Sequence, residues 1–347
     1  MSEVKKVIVF WEGLPACALL LSSLARNPEV HLTVFATRAA VPFHDIDKRL
    51  DCNVIYLAYS SEILGYQWLF KDCTAFVFTG WRHRSVLELA TQLRKKFNTK
   101  SVMAVDNRFK NNARQMLGAI YFRLFLRGKV DYAFVPGKSA NRLMRFFGLR
   151  QNQIKLGYYG AASQIYWSDV EWKDRTNEFL FVGSVDRRKG VDQLIEGYKI
   201  YRRQGGSWSL RMVGEGPLRD GYEGLDGVAW DGFRQPPEVA ERMRKSKVLF
   251  LTSRDDNWGT VVCEAAACGM LLAVSCKSGA VEDCIMEGVN GVSIETVTAK
   301  KIASTMWRFE NQQHRNSEYG SSISKLIAQQ FGERTYENSL CSIINDN

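Results

Sequence analysis

Two carboxylates and a lysine are the side chains in this sequence best placed to handle a charged, hydroxylated ligand. Asp256 and Glu264 lie on either side of a short segment that changes character within a few residues. The run 248–251 is apolar and reads as a buried strand. Asp255, Asp256 and Asn257 then form a polar turn, followed by Trp258 and Gly259, and an Ala-rich helix starts near Thr260 and can stop at Gly269. Such a strand, turn and helix start aim the free N–H groups and the positive dipole end of the helix at whatever sits above the sheet, which suits a phosphate. Carboxylates at the same turn suit vicinal hydroxyls, because an ionised oxygen accepts a hydrogen bond more strongly than a neutral one. Together they describe a nucleotide-sugar site. Taken alone, a solvated turn acid and a helix carboxylate would account for Asp256 and Glu264 equally well.

The lysine belongs to a second loop of the same design. The apolar run 179–182 leads into Gly183, Ser184, Val185, Asp186, Arg187, Arg188, Lys189 and Gly190. A basic loop directly after a strand can meet a diphosphate, although a charge run beside a helix start is also often plain solvated surface. The strand 209–213 ends on Gly214, Glu215, Gly216 and Pro217. Gly214, like Gly13 near the N-terminus, reads first as a backbone necessity of a βα turn.

Ser253, Asp256, Trp258, Gly259, Glu264, Ala265, Ala267, Cys268 and Gly269, continued by Ser278, Gly279, Glu282 and Gly288-Val289-Asn290-Gly291, resemble the signature of glycosyltransferase family 4. These are retaining enzymes of the GT-B fold, also described as glycosyl transferases group 1. The resemblance implies two Rossmann-like, doubly wound parallel-sheet domains facing a central cleft. It implies that Glu264 holds the ribose of a UDP- or GDP-linked donor, and that Asp256, standing where the family usually has Glu, holds the donor sugar with one methylene less reach. Asn257, Trp258, Gly259 and Thr260 are then donor-side residues. In the family the loop at 183–190 supplies an Arg and a Lys to the diphosphate. Lys189 matches the Lys, Ser184 occupies the usual Arg position, and Arg187 or Arg188 is left to substitute. Gly214 to Pro217 match the family's Gly-x-Gly-Pro turn. No metal or cofactor is implied.

Many family members place a His after the strand corresponding to 102–105, where this chain has Asp106 and Asn107. Asp106 is therefore the candidate there. His83 does not match that position and reads more simply as a structural loop residue. Retaining transfer does not require the His as a base, since the leaving diphosphate oxygen can take the acceptor's proton on the front face; the protein mainly positions and stabilises charge.

These loops need elements to hold them. A chain of 347 residues, 46% hydrophobic with mean hydropathy −0.23, suits two soluble α/β domains. Strands over 4–10, 31–35, 54–57, 75–78, 102–105 and 132–135 alternate with helical patterns, the first at 16–26 behind Pro15. Their C-terminal ends carry Glu12 and Gly13, Gly80 to His83, Asp106 to Arg108, and Pro136 to Lys138, which are the expected acceptor-side loops. The expected boundaries are 1–165 for an N-terminal acceptor domain, 176–320 for a donor domain joined by a polar, aromatic linker at 164–177, and 321–347 for a last helix that crosses back, as the resemblance implies. A polar segment is expected at 311–322.

Residues 1–165 carry 24 Lys and Arg against 11 Asp and Glu, hence +13, while the remainder carries 23 against 26, hence −3. A basic half fits an anionic membrane, a nucleic acid or a phosphorylated substrate. Carboxylates in the donor loops and the lack of a recognised motif argue against nucleic acid. Residues 108–129, with Arg108, Arg114, Arg123 and Arg127 among apolar side chains, read either as a core helix with charged edges or as a surface for anionic lipid. Eight scattered cysteines without a Cys-x-x-Cys pair and the absence of a recognisable leader at Met1 to Lys6 lead us to expect a cytoplasmic protein, peripheral at the inner face of the membrane where its basic half meets lipid. His31, His44, His83 and His314 show no zinc-ligand spacing. The expected partners are a nucleotide sugar and a glycan or lipid-linked acceptor of a bacterial surface polysaccharide. An epimerase or hydrolase of the same architecture, or a non-catalytic docking module, would share these features.

Overall fold

Strands buried on both faces of a parallel sheet need near-continuous apolar sequence rather than alternation, and this chain supplies it twice. The computed structural model describes residues 4–38, 41, 43–312 and 317–346. They divide into a first unit, Met1–Ala162 with Phe331–Asn347, and a second, Ser163–Gln330.

In the first unit, β1 (Lys5–Trp11), β2 (Val30–Thr37), β3 (Asn53–Leu57), β4 (Cys73–Thr79), β5 (Lys100–Ala104), β6 (Tyr132–Val135) and β7 (Ile154–Leu156) form one parallel sheet in the order β3-β2-β1-β4-β5-β6-β7. The chain winds outward from β1 to β3, returns to β4 beside β1, and winds the other way. Crossovers include α1 (Leu21–Arg26), α2 (Arg84–Phe97), α3 (Ala113–Tyr121) and α4 (Lys138–Phe147). Phe10, Phe35, Phe70, Phe76 and Phe78 make an aromatic core on one face of this sheet. Truncating any of them to Ala costs about 3–5 kcal/mol.

The second unit repeats the plan with β8 (Thr176–Val182), β9 (Ser209–Val213), β10 (Val228–Gly232), β11 (Ser246–Leu251), β12 (Leu271–Ser275) and β13 (Gly291–Ile294), ordered β10-β9-β8-β11-β12-β13 and parallel throughout. Its helices are α5 (Val191–Arg203), α6 (Pro236–Lys245), α7 (Thr260–Ala267), α8 (Val281–Cys284), α9 (Ala299–Gln312) and α10 (Ser317–Gln329). Every residue of β11 is buried. The direction of winding reverses between β8 and β11, and in such sheets ligands bind beyond the strand ends at that reversal.

Two expectations change. The segment read as a linker is packed onto the second unit: Trp172 is buried, and the buried Arg175 guanidinium donates to the carbonyls of Met243 (3.1 Å), Ser246 (3.3 Å) and Cys268 (2.6 Å). A buried cation that satisfies carbonyls in this way looks, in sequence, like surface polarity. The polar stretch at 311–322 is helical from Ser317, with Ser317 and Ser321 buried: Ser321 Oγ donates to Gly269 O and, just beyond the stretch, Ser324 Oγ donates to Met270 O, both at 2.7 Å. A separate helix, α11 (Glu333–Ile344), follows Gly332 and packs in the first unit, with Tyr336 edge-on to Phe134 at 4.8 Å. Ala161 N donates to Phe331 O, and a side chain at Gly160 would place its Cβ 1.5 Å from that oxygen.

Candidate functional site

At the reversal of the second sheet, the loop after β8 and the turn after β11 come together. Gly190 has φ +69°, and a Cβ there would lie 2.1 Å from Thr252 O, so only glycine lets the two backbones meet. Gly214, at φ +133°, lies equally close to Gly183, where an added Cβ would be 1.9 Å from the carbonyl oxygen. It is thus a packing requirement between the loops after β8 and β9. Within the first loop, Asp186 Oδ1 accepts from Lys189 N at 2.8 Å, and Ser184 Oγ donates to Asp186 Oδ2 at 2.9 Å. This fixes the backbone that aims Lys189.

Lys189 Nζ donates to Asp256 Oδ2 at 2.6 Å, with both side chains largely shielded from solvent. Ser253 Oγ donates to the same oxygen at 3.2 Å. The turn carrying Asp256 is braced from β12's side: Asp256 N donates to Lys277 O at 3.0 Å, Ser278 Oγ donates to Trp258 O, and Gly279 allows Asn257 O to sit where a Cβ would be 2.1 Å away. Trp258 is buried. Gly259, left-handed at φ +88°, delivers the chain into α7 at Thr260.

Glu264 lies one turn into α7 and is partly buried. Burial pushes its carboxyl up to about 7, and a hydrogen bond with the Tyr166 side chain pulls the other way. Tyr166 was not among the residues singled out in the sequence; an aromatic in a segment read as linker was the available signal. Arg187 and Arg188 are exposed on the loop. Arg187 O accepts from Arg254 Nη1 at 2.8 Å, and Arg188 Nη2 lies 3.5 Å from Ser184 Oγ. Among the described residues, neither arginine is in an ion pair with a carboxylate.

The first unit gathers a different set at its own reversal, between β1 and β4. Glu12 Oε2 lies 3.2 Å from His83 Nε2, and Glu12 Oε1 lies 3.9 Å from Arg82 Nη1. His83 also stands edge-on to Phe10 at 5.3 Å. Gly13, at φ +78°, donates its N–H to Thr37 Oγ1 at 2.9 Å. Asp106, beyond β5, accepts from the Tyr159 hydroxyl at 3.4 Å. Tyr159 stacks on Tyr158 at 4.5 Å and Tyr158 on Trp11 at 4.9 Å. Burial first, then the Asp106 charge, holds the Tyr159 phenol well above its usual range. Arg108 contributes its carbonyl, which accepts from Gln115 Nε2 at 2.7 Å.

Asp45 and Asp47 have the Asp-x-Asp spacing associated with metal-bound diphosphates, but Asp45 Oδ1 is paired with Lys48 Nζ at 2.6 Å on an exposed turn. Among the described residues, no group of three or more His, Cys, Asp and Glu is arranged to hold a metal ion. His314 lies outside those residues.

Residues 166–325 match the family model of the glycosyl transferases group 1. An uncharacterized glycosyltransferase of Methanocaldococcus jannaschii is 27% identical over 151 residues, covering 42% of this chain and 40% of that protein. An uncharacterized 41.2 kDa protein in the cps region of Klebsiella pneumoniae is 24% identical over 170 residues, 46% of each chain. The chain thus spans less than half the length of these curated relatives. In three dimensions the likeness extends further. The HepE protein of Anabaena, solved in complex with UDP and glucose, is 15% identical with a TM-score of 0.72, covering 96% of this chain and 98% of that one. The fold, with its seven- and six-stranded parallel sheets, is GT-B.

Proposed function

We propose that this chain is a retaining glycosyltransferase of family 4, moving a hexosyl unit from a UDP- or GDP-linked donor to an acceptor sugar, lipid-linked, in bacterial surface polysaccharide assembly. The observation that carries the reading is the meeting of Lys189 and Asp256 at the β8/β11 reversal, immediately before the start of α7 and inside the stretch matched by the family model. A cation and a hydroxyl-binding carboxylate in contact, under a helix N-terminus, suit a sugar attached to a diphosphate. The UDP and glucose bound by the HepE protein support that ligand class, and the cps-region relative supports the polysaccharide setting.

In this reading Lys189, with Arg187 or Arg188, neutralises the diphosphate as it leaves. Glu264, held by Tyr166, accepts from the ribose hydroxyls, and Asp256 orients the sugar. The bond from the anomeric carbon to the diphosphate oxygen breaks while the acceptor hydroxyl oxygen bonds to that carbon on the same face. The acceptor's proton passes to the departing phosphate oxygen, so no side chain is consumed. Asp106, Glu12, His83 and Arg108 are assigned to the acceptor side.

Incubation with UDP-glucose, UDP-galactose and GDP-mannose, each with and without lipid-linked mono- and disaccharides, tests this. Acceptor-dependent release of nucleoside diphosphate and an unchanged anomeric configuration in the product are expected. Release that ignores every acceptor would instead identify a hydrolase.

A further inference from the structure

A helix that packs one face into a core normally turns a polar face to water. Residues 113–126 break that rule. Ala119, Phe122 and Leu126 are buried, with Phe122 against Trp81 and Phe147 at ring separations of 6.1 and 5.5 Å. Gly118 lets the helix sit close to Phe147, since a Cβ there would lie 3.3 Å from Cζ. The opposite face is also apolar: Met116, Leu117, Ile120, Tyr121, Leu124 and Phe125 are 49–70% exposed. Their spacing, pairs recurring every four residues, lays them in one stripe along α3 and the π-helical turn that continues it at Phe122–Leu126. The helix is fixed from behind. The Asn112 side chain caps it by accepting from Gln115 N at 3.0 Å, Arg123 Nη2 donates to Phe146 O at 2.7 Å, and Arg127 Nη2 donates to Gln153 Oε1 at 2.8 Å.

Charge around the stripe has one sign. Between Asp106 and Asp131 there is no acidic residue, while Arg108, Lys110, Arg114, Arg123, Arg127 and Lys129 all fall in that interval. Arg145, exposed on α4 next to the Phe146 carbonyl that anchors Arg123, adds to it.

We propose that this face docks the protein on an anionic phospholipid bilayer, with the six apolar side chains entering the interfacial region and the basic rim at headgroup level. An apolar stripe rimmed by Arg and Lys matches such a surface in both hydrophobicity and charge, and Tyr121 and Phe125 are side chains that the interface favours. A second copy of this chain is a poorer occupant, because two such faces would bring like-charged rims together. The docking is independent of the reaction proposed above.

Vesicle sedimentation tests it, with palmitoyl-oleoyl phosphatidylglycerol mixed into phosphatidylcholine and with phosphatidylcholine alone. The wild-type protein is expected to partition onto the anionic vesicles at low ionic strength and at least tenfold less onto the neutral ones. The triple variant Leu117→Asp, Ile120→Asp, Leu124→Asp should lose at least tenfold in partitioning at an unchanged melting temperature, since all three side chains are exposed. Arg114→Glu should lose severalfold at low ionic strength, and its remaining partitioning should depend less steeply on salt than the wild type's. The proposal is overturned if the wild type ignores anionic vesicles at low salt, or if the triple variant binds as the wild type does. It is also overturned if sedimentation equilibrium shows a dimer that the triple substitution dissolves, which would assign the face to a second copy.

Discussion

Lys189 Nζ and Asp256 Oδ2, 2.6 Å apart, form an ion pair between the loop after β8 and the turn after β11. The pair presets the spacing of two groups assigned to different parts of one ligand. Removing either side chain therefore leaves the other charged and largely shielded, at a cost of roughly 1–3 kcal/mol. Lys189→Ala should weaken binding of the bare nucleoside diphosphate by at least tenfold in calorimetry. Asp256→Asn should leave that affinity within about threefold while lowering sugar transfer by about 100-fold. Equal losses for both variants in both measurements would remove the division of labour between them.

With Glu264 placed on the ribose as proposed, donor binding should depend on pH. Its carboxyl titrates near 7 in the folded chain against 4.5 for the unperturbed group, with burial the leading cause. Between those values the folded protein keeps a proton that the unfolded chain has released. Stability therefore falls as pH rises through that window, by roughly 1–3 kcal/mol in all. Glu264→Gln should raise the melting temperature at pH 8 and leave it unchanged at pH 5. Ribose hydroxyls favour the ionised form, so nucleotide binding should release a proton at pH 6.5. Calorimetry in buffers of different ionisation enthalpy measures that release, and its absence would detach Glu264 from the ribose.

Gly190→Ala and Gly214→Ala each introduce a methyl where a backbone oxygen lies about 2 Å away and where φ is positive. Each should destabilise the second unit by about 2 kcal/mol or more. Gly205→Ala, also at positive φ but with nothing within 4 Å, is the control and should cost less. Thermal melts of the three variants check the ranking.

Asp106→Asn should reduce transfer to an acceptor by at least tenfold and leave nucleotide affinity unchanged, in line with its proposed acceptor-side role. Tyr159→Phe, which removes the 3.4 Å hydrogen bond to Asp106 but keeps the stack on Tyr158, should fall between Asp106→Asn and the wild type. Steady-state rates against acceptor concentration distinguish the two.

The strand–turn–helix around Asp256 was legible because each transition is written locally: an apolar run, three polar turn residues, a glycine and an alanine-rich helix. The six strands expected in the first sheet form for the same reason. β7, β12 and β13 were not legible. Ile154–Leu156 is only three residues long, Leu271–Ser275 is a five-residue apolar run that periodicity alone does not assign to a strand, and Gly291–Ile294 reads as the end of a turn. Tyr166, Arg175, Ser321 and Ser324 were missed for one physical reason. Each is a polar group that faces inward and finds its partner far away in sequence, so composition misplaces it at the surface. Exposure of the apolar stripe on α3 was undecidable from spacing, since both faces of that helix are apolar.

The helix after Gly332 reverses the order in which the two sheets can be completed during synthesis. Residues 163–330 form an uninterrupted unit, whereas the sheet that leaves the ribosome first awaits α11 and its Tyr336, which covers Phe134. The N-terminal half thus begins folding early and closes only once α11 has emerged. Until then, the apolar face around Phe134 and Tyr158 lacks the cover that Tyr336 gives it, the kind of exposed surface that favours aggregation of a partly made chain.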